Sequence, residues 1–320
     1  MTRRRKVILW IVGGVVAVVG GLALAIVLSS PKPVELTLPV ETKEIPAGWL
    51  EAEVAEAPES AGDRAAESAE IAATDLPAEP VPPETNVPPE PVVSTGRLTM
   101  VGDGKPFGEE AYELTVSGDR TILHSSGRFW FKVVLATVQL AFEQTYEADG
   151  NLRPVLYSAE FDAPLGFDRT IRATVEEDLV SVEGSDGEKE IPIDPERTFT
   201  LGTFSTYILL PRLYRLASEE GSATFDVLAF GGPPDRNADE IDALPTMTLE
   251  QSGTATLVAD NVRFRAERYV VTSNLGQSEL YARGDEFLAF RSTGEDSSLW
   301  VYRSDFFPDG VEVAAASSAP

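Results

Sequence analysis

The sequence predicts a mainly β protein: an antiparallel meander forming a curved half-barrel around one central helix, preceded by a single transmembrane helix and a disordered linker. Three observations carry that prediction. Beyond Gly96 apolar and polar residues alternate with period two, turn-forming pairs recur between the alternating runs, and one dense apolar and aromatic segment, TYILLPRLYRL at residues 206–216, interrupts them.

The 320-residue chain is long enough for two domains, but about a third of it lacks the composition to fold, which leaves one domain of about 200 residues. Residues 1–6 read as a basic cytoplasmic tail. Residues 7–28 are an uncharged run of 22, enough to cross a hydrocarbon layer of about 30 Å as a helix. Ala23 and Ala25 give the A-x-A pattern of a cleaved signal peptide, but the apolar core exceeds the roughly 7–15 residues of such peptides, which favours an uncleaved anchor. Four basic residues precede the span and an acidic tract follows it, so the N-terminus is expected inside the cytoplasmic membrane and the C-terminal domain outside. Gly13, Ala17, Gly21 and Ala25 recur every four residues, a stripe on which a second copy's helix can pack into a homodimer; the ordinary abundance of Gly and Ala in membrane spans gives the same pattern.

Residues 29–95 are read as an acidic Pro/Ala/Glu-rich disordered linker. Residues 31–95 hold twelve of the chain's 23 prolines and a net charge of −11, with too few large apolar side chains to offset the entropy of ordering. Like-charge repulsion then extends the spacer and holds the folded domain away from an anionic membrane.

The extracytoplasmic β-rich domain is placed at 96–312, with a disordered tail at 313–320. Tyr112, Leu114 and Val116 alternate with Glu113, Thr115 and Ser117, and Ile171, Ala173 and Val175 alternate with Arg172, Thr174 and Glu176, as in half-buried strands. The same reading gives strands at 97–102, 108–117, 120–131, 133–146, 153–163, 168–176, 179–184 and 188–193, then at 222–230, 247–258, 261–272, 277–283, 286–292 and 298–304. Hairpin signals sit between them at Asp149-Gly150, Asp186-Gly187 and Asp309-Gly310, with weaker ones at Gly118-Asp119, Gly284-Asp285 and Thr293-Gly294. In the apolar segment, Ser205 or Thr206 can cap a helix that puts Tyr207, Leu210, Leu213 and Tyr214 on one face and Arg212 and Arg215 elsewhere. Pro211 either kinks that helix or marks its true start, and Gly221 ends it. A curved sheet and a lone helix each supply the apolar surface that the other must bury.

The anchor, the meander, the helix, DGNLRPVLYSAEF (residues 149–161) and SSLWVYRSDFFPDGVEV (residues 297–313) resemble a bacterial family of envelope proteins of unknown function. In that family a curved antiparallel half-barrel covers a helix, similar to the lipoprotein-carrier proteins of outer-membrane sorting. The resemblance implies a hydrophobic concavity outside the cytoplasmic membrane.

Aromatic residues cluster at Phe129, Trp130 and Phe131 and recur at Phe142, Phe161, Phe264 and Trp300. Two roles fit them: ordinary core, or the lining of a pocket for an acyl chain or isoprenoid. The ligand-binding expectation names Phe129, Phe131, Phe142, Tyr207, Leu210, Leu213, Tyr214 and Phe264. Neighbouring strand residues face opposite ways, so Phe129 and Phe131 share one side and Trp130 takes the other.

No catalytic signature emerges. His124 is the single histidine, with no nucleophile elbow, and it cannot make a His-rich metal site. GDGKPFG (residues 102–108) lacks the order of a phosphate loop and reads as a hairpin turn. Asp235, Asn237, Asp239 and Asp242 space like a calcium loop but lack its glycine and glutamate. Glu176 and Glu177, adjacent on a strand, face opposite ways. No cofactor or metal is expected. The absence of cysteine removes disulfides and thiolate sites, and a net charge of −26 disfavours nucleic acid. These readings point to a non-enzymatic, membrane-anchored binding or chaperone-like module for an apolar ligand or lipidated partner of the bacterial envelope; a tethered protein-interaction scaffold is the alternative.

Overall fold

The computed structural model describes residues 38, 40–50, 90–133, 136–163, 168–185, 187–230, 244–260, 262–274, 276–293 and 298–314. The predicted span at 7–28 and its small-residue stripe lie outside them, and among the described residues no helix is long and apolar enough to cross a membrane.

Two meanders make one sheet. The first contains β1 (Val92–Gly102), β2 (Lys105–Ser117), β3 (Arg120–Val133), β4 (Ala136–Asp149), β5 (Pro154–Asp162), β6 (Arg169–Glu176), β7 (Leu179–Gly184) and β8 (Gly187–Pro192). The second contains β10 (Ser222–Ala229), β11 (Thr246–Ala259), β12 (Val262–Ser273), β13 (Gly276–Arg283), β14 (Glu286–Thr293) and β15 (Ser298–Arg303). Every neighbouring pair within each meander is antiparallel, and the two join edge to edge where β1 pairs with β15, Leu98 opposite Arg303. The free edges are β8 and β9 (Thr198–Leu201), so the curved sheet stays open. Strands of up to 14 residues in so wide a sheet accumulate twist and must curl.

The four-residue strand β9, absent from the sequence reading, explains why a helix interrupts the meander. It pairs parallel with β10, and parallel neighbours need a crossover connection. That crossover is a 3₁₀ turn (Phe204–Leu209) running into the α-helix α1 (Leu210–Ala217). Pro211 sits in the first turn of α1, where its missing N–H costs nothing, and so marks the start of the α-helix.

The connection fills the concave face. Leu209, Leu210, Leu213 and Tyr214 are buried among Leu98, Tyr146, Tyr269 and Phe287, which come from both meanders. Tyr214 meets Tyr269 edge-on with centroids 4.9 Å apart, and Tyr207 meets Phe290 at 4.8 Å. Curvature on this face depends on glycines opposite aromatic rings. Tyr112 lies across Gly96 and Phe142 across Gly127; a Cβ on Gly127 would run into the Phe142 ring and stand 2.6 Å from the Glu109 carbonyl oxygen.

A second, smaller core lies on the convex face of β11–β14 around Leu257, Phe264, Tyr281, Leu288 and Phe307. Two segments cover it. One is the C-terminal stretch ending in β16 (Glu312–Val313), which pairs with β11; Asp309-Gly310 is therefore a turn leading to β16 and not a hairpin. The other is the stretch 40–50, placed in the disordered linker by composition but docked here through Ile45 and Trp49. Trp49 packs on Phe306 at 5.2 Å, Arg283 Nη1 donates to the Trp49 carbonyl at 3.2 Å, and Leu50 bridges to Phe264. Between the two cores sits buried Arg303. Its guanidinium donates to both Asp305 oxygens at 2.7 and 2.6 Å, pairs with Glu286, and stacks on Phe306 at 4.6 Å and Tyr112 at 5.4 Å.

Candidate functional site

At one end of the concave face, where β3 leads into β4, aromatic rings gather that the helix does not cover. Phe129 contacts Phe142 at 5.0 Å, Phe204 at 6.1 Å, Phe131 at 6.2 Å and Phe107 at 6.3 Å, and Phe142 in turn meets Phe161 at 6.1 Å. Phe142 is buried, but Phe107, Phe129, Phe161, Phe204 and Tyr207 are only half-buried, and Phe131 is 46% exposed. Singly exposed apolar residues are ordinary; a contiguous set of partly exposed rings is a surface able to take an apolar group. Trp130 points the other way, as the alternation predicts, with the Arg128 guanidinium 5.3 Å over its ring.

Beneath the rings lies a fully buried polar floor. Glu110 accepts from Ser125 Oγ at 2.7 Å, from the Ser205 backbone N–H at 3.0 Å and from Thr203 Oγ1. Gln144 Nε2 donates to Ser205 Oγ at 2.8 Å, and Gln144 Oε1 accepts from Thr203 N at 3.0 Å and Tyr157 OH at 3.1 Å. Burial pushes the Glu110 carboxyl upward, while hydrogen bonds from Ser205, Thr203 and Ser125 pull it back. All of these partners are protein groups, and Glu110 has no exposed surface. The arrangement therefore fastens the start of the 3₁₀ turn to β2, β3 and β4, and thereby positions Phe204 and Tyr207 at the mouth.

Of the residues named from sequence, Phe129, Phe131, Phe142 and Tyr207 come together at this end. Leu210, Leu213 and Tyr214 lie deeper, in the core between the meanders. Phe264 does not belong with them: it is on the convex face, stacked on Phe307 at 5.1 Å. Phe264 and Tyr269 lie five positions apart on β12 and therefore serve opposite faces by the ordinary alternation of a strand. Sequence reasoning missed Phe107, Phe204 and the polar floor. The floor left a signal: Glu110 shares the apolar parity of Tyr112 and Leu114, Ser125 that of Leu123, and Gln144 that of Phe142 and Tyr146.

His124 is exposed on the convex face, its Nδ1 2.9 Å from Thr145 Oγ1, beside an open polar groove of about 250 Å³ that Glu143, Ser158 and Glu160 also line. Within residues 102–108, read from sequence as a hairpin turn, the turn itself is Asp103-Gly104, and Lys105–Gly108 already belong to β2. Asp235, Asn237, Asp239 and Asp242 lie outside the described residues.

Fold and site together define a class: an open, curved β-sheet wrapped around its own crossover helix, with an aromatic mouth at one end. Among solved structures the chain is similar to a β-barrel-like protein of domain of unknown function DUF1849 from Brucella abortus, at 10% identity and a TM-score of 0.44, covering 68% of this chain and 96% of that one. It is also similar to a DUF1089 family protein from Pseudomonas aeruginosa, at 11% identity and a TM-score of 0.38, covering 57% and 86%. Neither is described as a lipoprotein carrier. No family model and no curated protein matches the chain.

Proposed function

We propose that this chain is a membrane-anchored, non-enzymatic binding module of the bacterial envelope, single-pass with its C-terminal domain outside the cytoplasmic membrane, that takes an apolar group at the aromatic mouth. The group is an acyl chain, free or on a lipidated partner. The partly exposed set Phe107, Phe129, Phe131, Phe161, Phe204 and Tyr207 carries this reading. Because the 3₁₀ turn and α1 occupy the space between the meanders, the ligand lies across the mouth instead of entering the interior. That filled interior also favours a second reading, a protein-interaction scaffold with no small ligand.

The test is photolabelling of the full chain in nanodiscs with a diazirine-bearing C16 acyl probe, mapped by mass spectrometry. Labels are expected in peptides around Phe107, Phe129–Phe131 and Phe204, with at least a severalfold loss in Phe131→Ser and a stability change under about 1 kcal/mol, since nearly half of Phe131 is exposed. Labels confined to residues 7–28, unaffected by Phe131→Ser, would reject the acyl reading in favour of the scaffold.

A further inference from the structure

Composition makes residues 29–95 one long spacer, but the structure divides that stretch. The docked part, 40–50, is held on the convex face by several independent contacts. The Lys43 backbone N–H donates to the Asp305 carbonyl at 2.6 Å, Lys43 Nζ bonds the Thr95 carbonyl and lies 3.5 Å from Asp305 Oδ2, and its charge sits 5.5 Å over the Phe306 ring. Asp305 is itself almost fully buried and already carries Arg303, so Lys43 completes a charge cluster that belongs to the domain. Farther along, Ile45 and Trp49 cover the convex core and Leu50 reaches β12. Leu38, ahead of the strap, lines the groove over β3–β5. The chain thus crosses the convex face from the first meander to the second before it ever reaches β1.

We infer that residues 40–50 are a fastening strap that shortens the tether: with Leu38 also lying on the domain, the reach from the anchor is set by residues 29–37 alone, and residues 51–89 join two points that both lie on the domain. Nine residues span at most about 32 Å fully extended, whereas an unfastened 29–91 would span on the order of 200 Å. The acidic, proline-rich 51–89 stretch then adds no length to the tether. This rests on the anchor reading, and its test separates the two.

The chain has no cysteine, so Glu188→Cys on exposed β8 accepts a single donor dye. Full chain reconstituted in phosphatidylcholine vesicles with a trace acceptor lipid reports the distance from domain to bilayer. Deleting residues 55–74 is expected to leave transfer efficiency unchanged, and inserting twenty Gly/Ser residues between Ser30 and Pro31 to lower it at least twofold. Equal and opposite responses, with the deletion raising transfer about as much as the insertion lowers it, would overturn the strap. Failure of the chain to float with the vesicles would overturn the anchor and the tether with it. In that case spin labels at Ala47→Cys and Val262→Cys still report whether the strap is docked, by one narrow short distance against a broad distribution.

Discussion

The concave and convex faces of this sheet each bury an apolar core, by different means. On the concave face, both meanders close on a helix that the chain supplies between β9 and β10, so residues from Leu98 to Val301 meet in one cluster. On the convex face, β11–β14 bury Leu257, Phe264, Tyr281 and Phe307 beneath two passing segments that are mostly not strand. The first core is continuous with the fold's topology and cannot open without separating the meanders. The second is covered by pieces that can lift while the sheet remains intact. Local stability should differ accordingly.

The largest expected effect comes from the concave core. Leu213→Ala removes a buried side chain between the meanders and should cost about 2–5 kcal/mol in urea unfolding, because the surrounding strands cannot collapse into the gap. A loss under about 1 kcal/mol would mean that the helix is a loosely held insert. Next is Glu110→Gln, expected to cost about 1–3 kcal/mol, since an amide nitrogen cannot accept, whereas a carboxyl oxygen, protonated or not, still accepts from Ser125, Thr203 or Ser205.

That variant also carries a pH signature. The folded protein holds the Glu110 proton more tightly than the unfolded chain, whose carboxyl has the usual value of 4.5. The contribution of Glu110 is thus fully present below 4.5 and is lost as pH rises through the folded value, so the advantage of wild type over Glu110→Gln shrinks with rising pH. Unfolding curves of both proteins from about pH 4 to about pH 8 check this; an advantage that grows with pH would show a carboxylate stabilised in its charged form. The smallest effect is at the strap. Trp49→Ala should change global stability by less than about 1 kcal/mol while raising the exchange rates of strap amides at least tenfold, as expected of a locally opening segment.

Most of the sheet was legible because period two is a local property: the alternation about Tyr112 and about Ile171 fixed strands and faces together. β9 and β16 were not, since four residues and two residues hold too little alternation to register, and both exist because a neighbouring edge was open. The convex core was hidden because its cover comes from outside the two meanders. Parity along β12 assigns Phe264 and Tyr269 to opposite sides, and only the segments packed on the convex face show that both sides are buried. Composition likewise concealed the strap, where Ile45, Trp49 and Leu50 sit in an otherwise acidic, proline-rich stretch. The aromatic end was partly visible in Phe129 and Phe131. Its polar floor was readable in principle, as three polar residues at apolar positions of three adjacent strands.

Residue-resolved hydrogen exchange on the full chain sets the two faces side by side in one experiment. Amides of α1 around Leu213 and Tyr214 should exchange only through global unfolding, with the same denaturant dependence as β4 and β12, while Lys43, Trp49 and Leu50 exchange through a smaller opening of weaker dependence. If the α1 amides open as readily as those of the strap, the helix is not held between the two meanders.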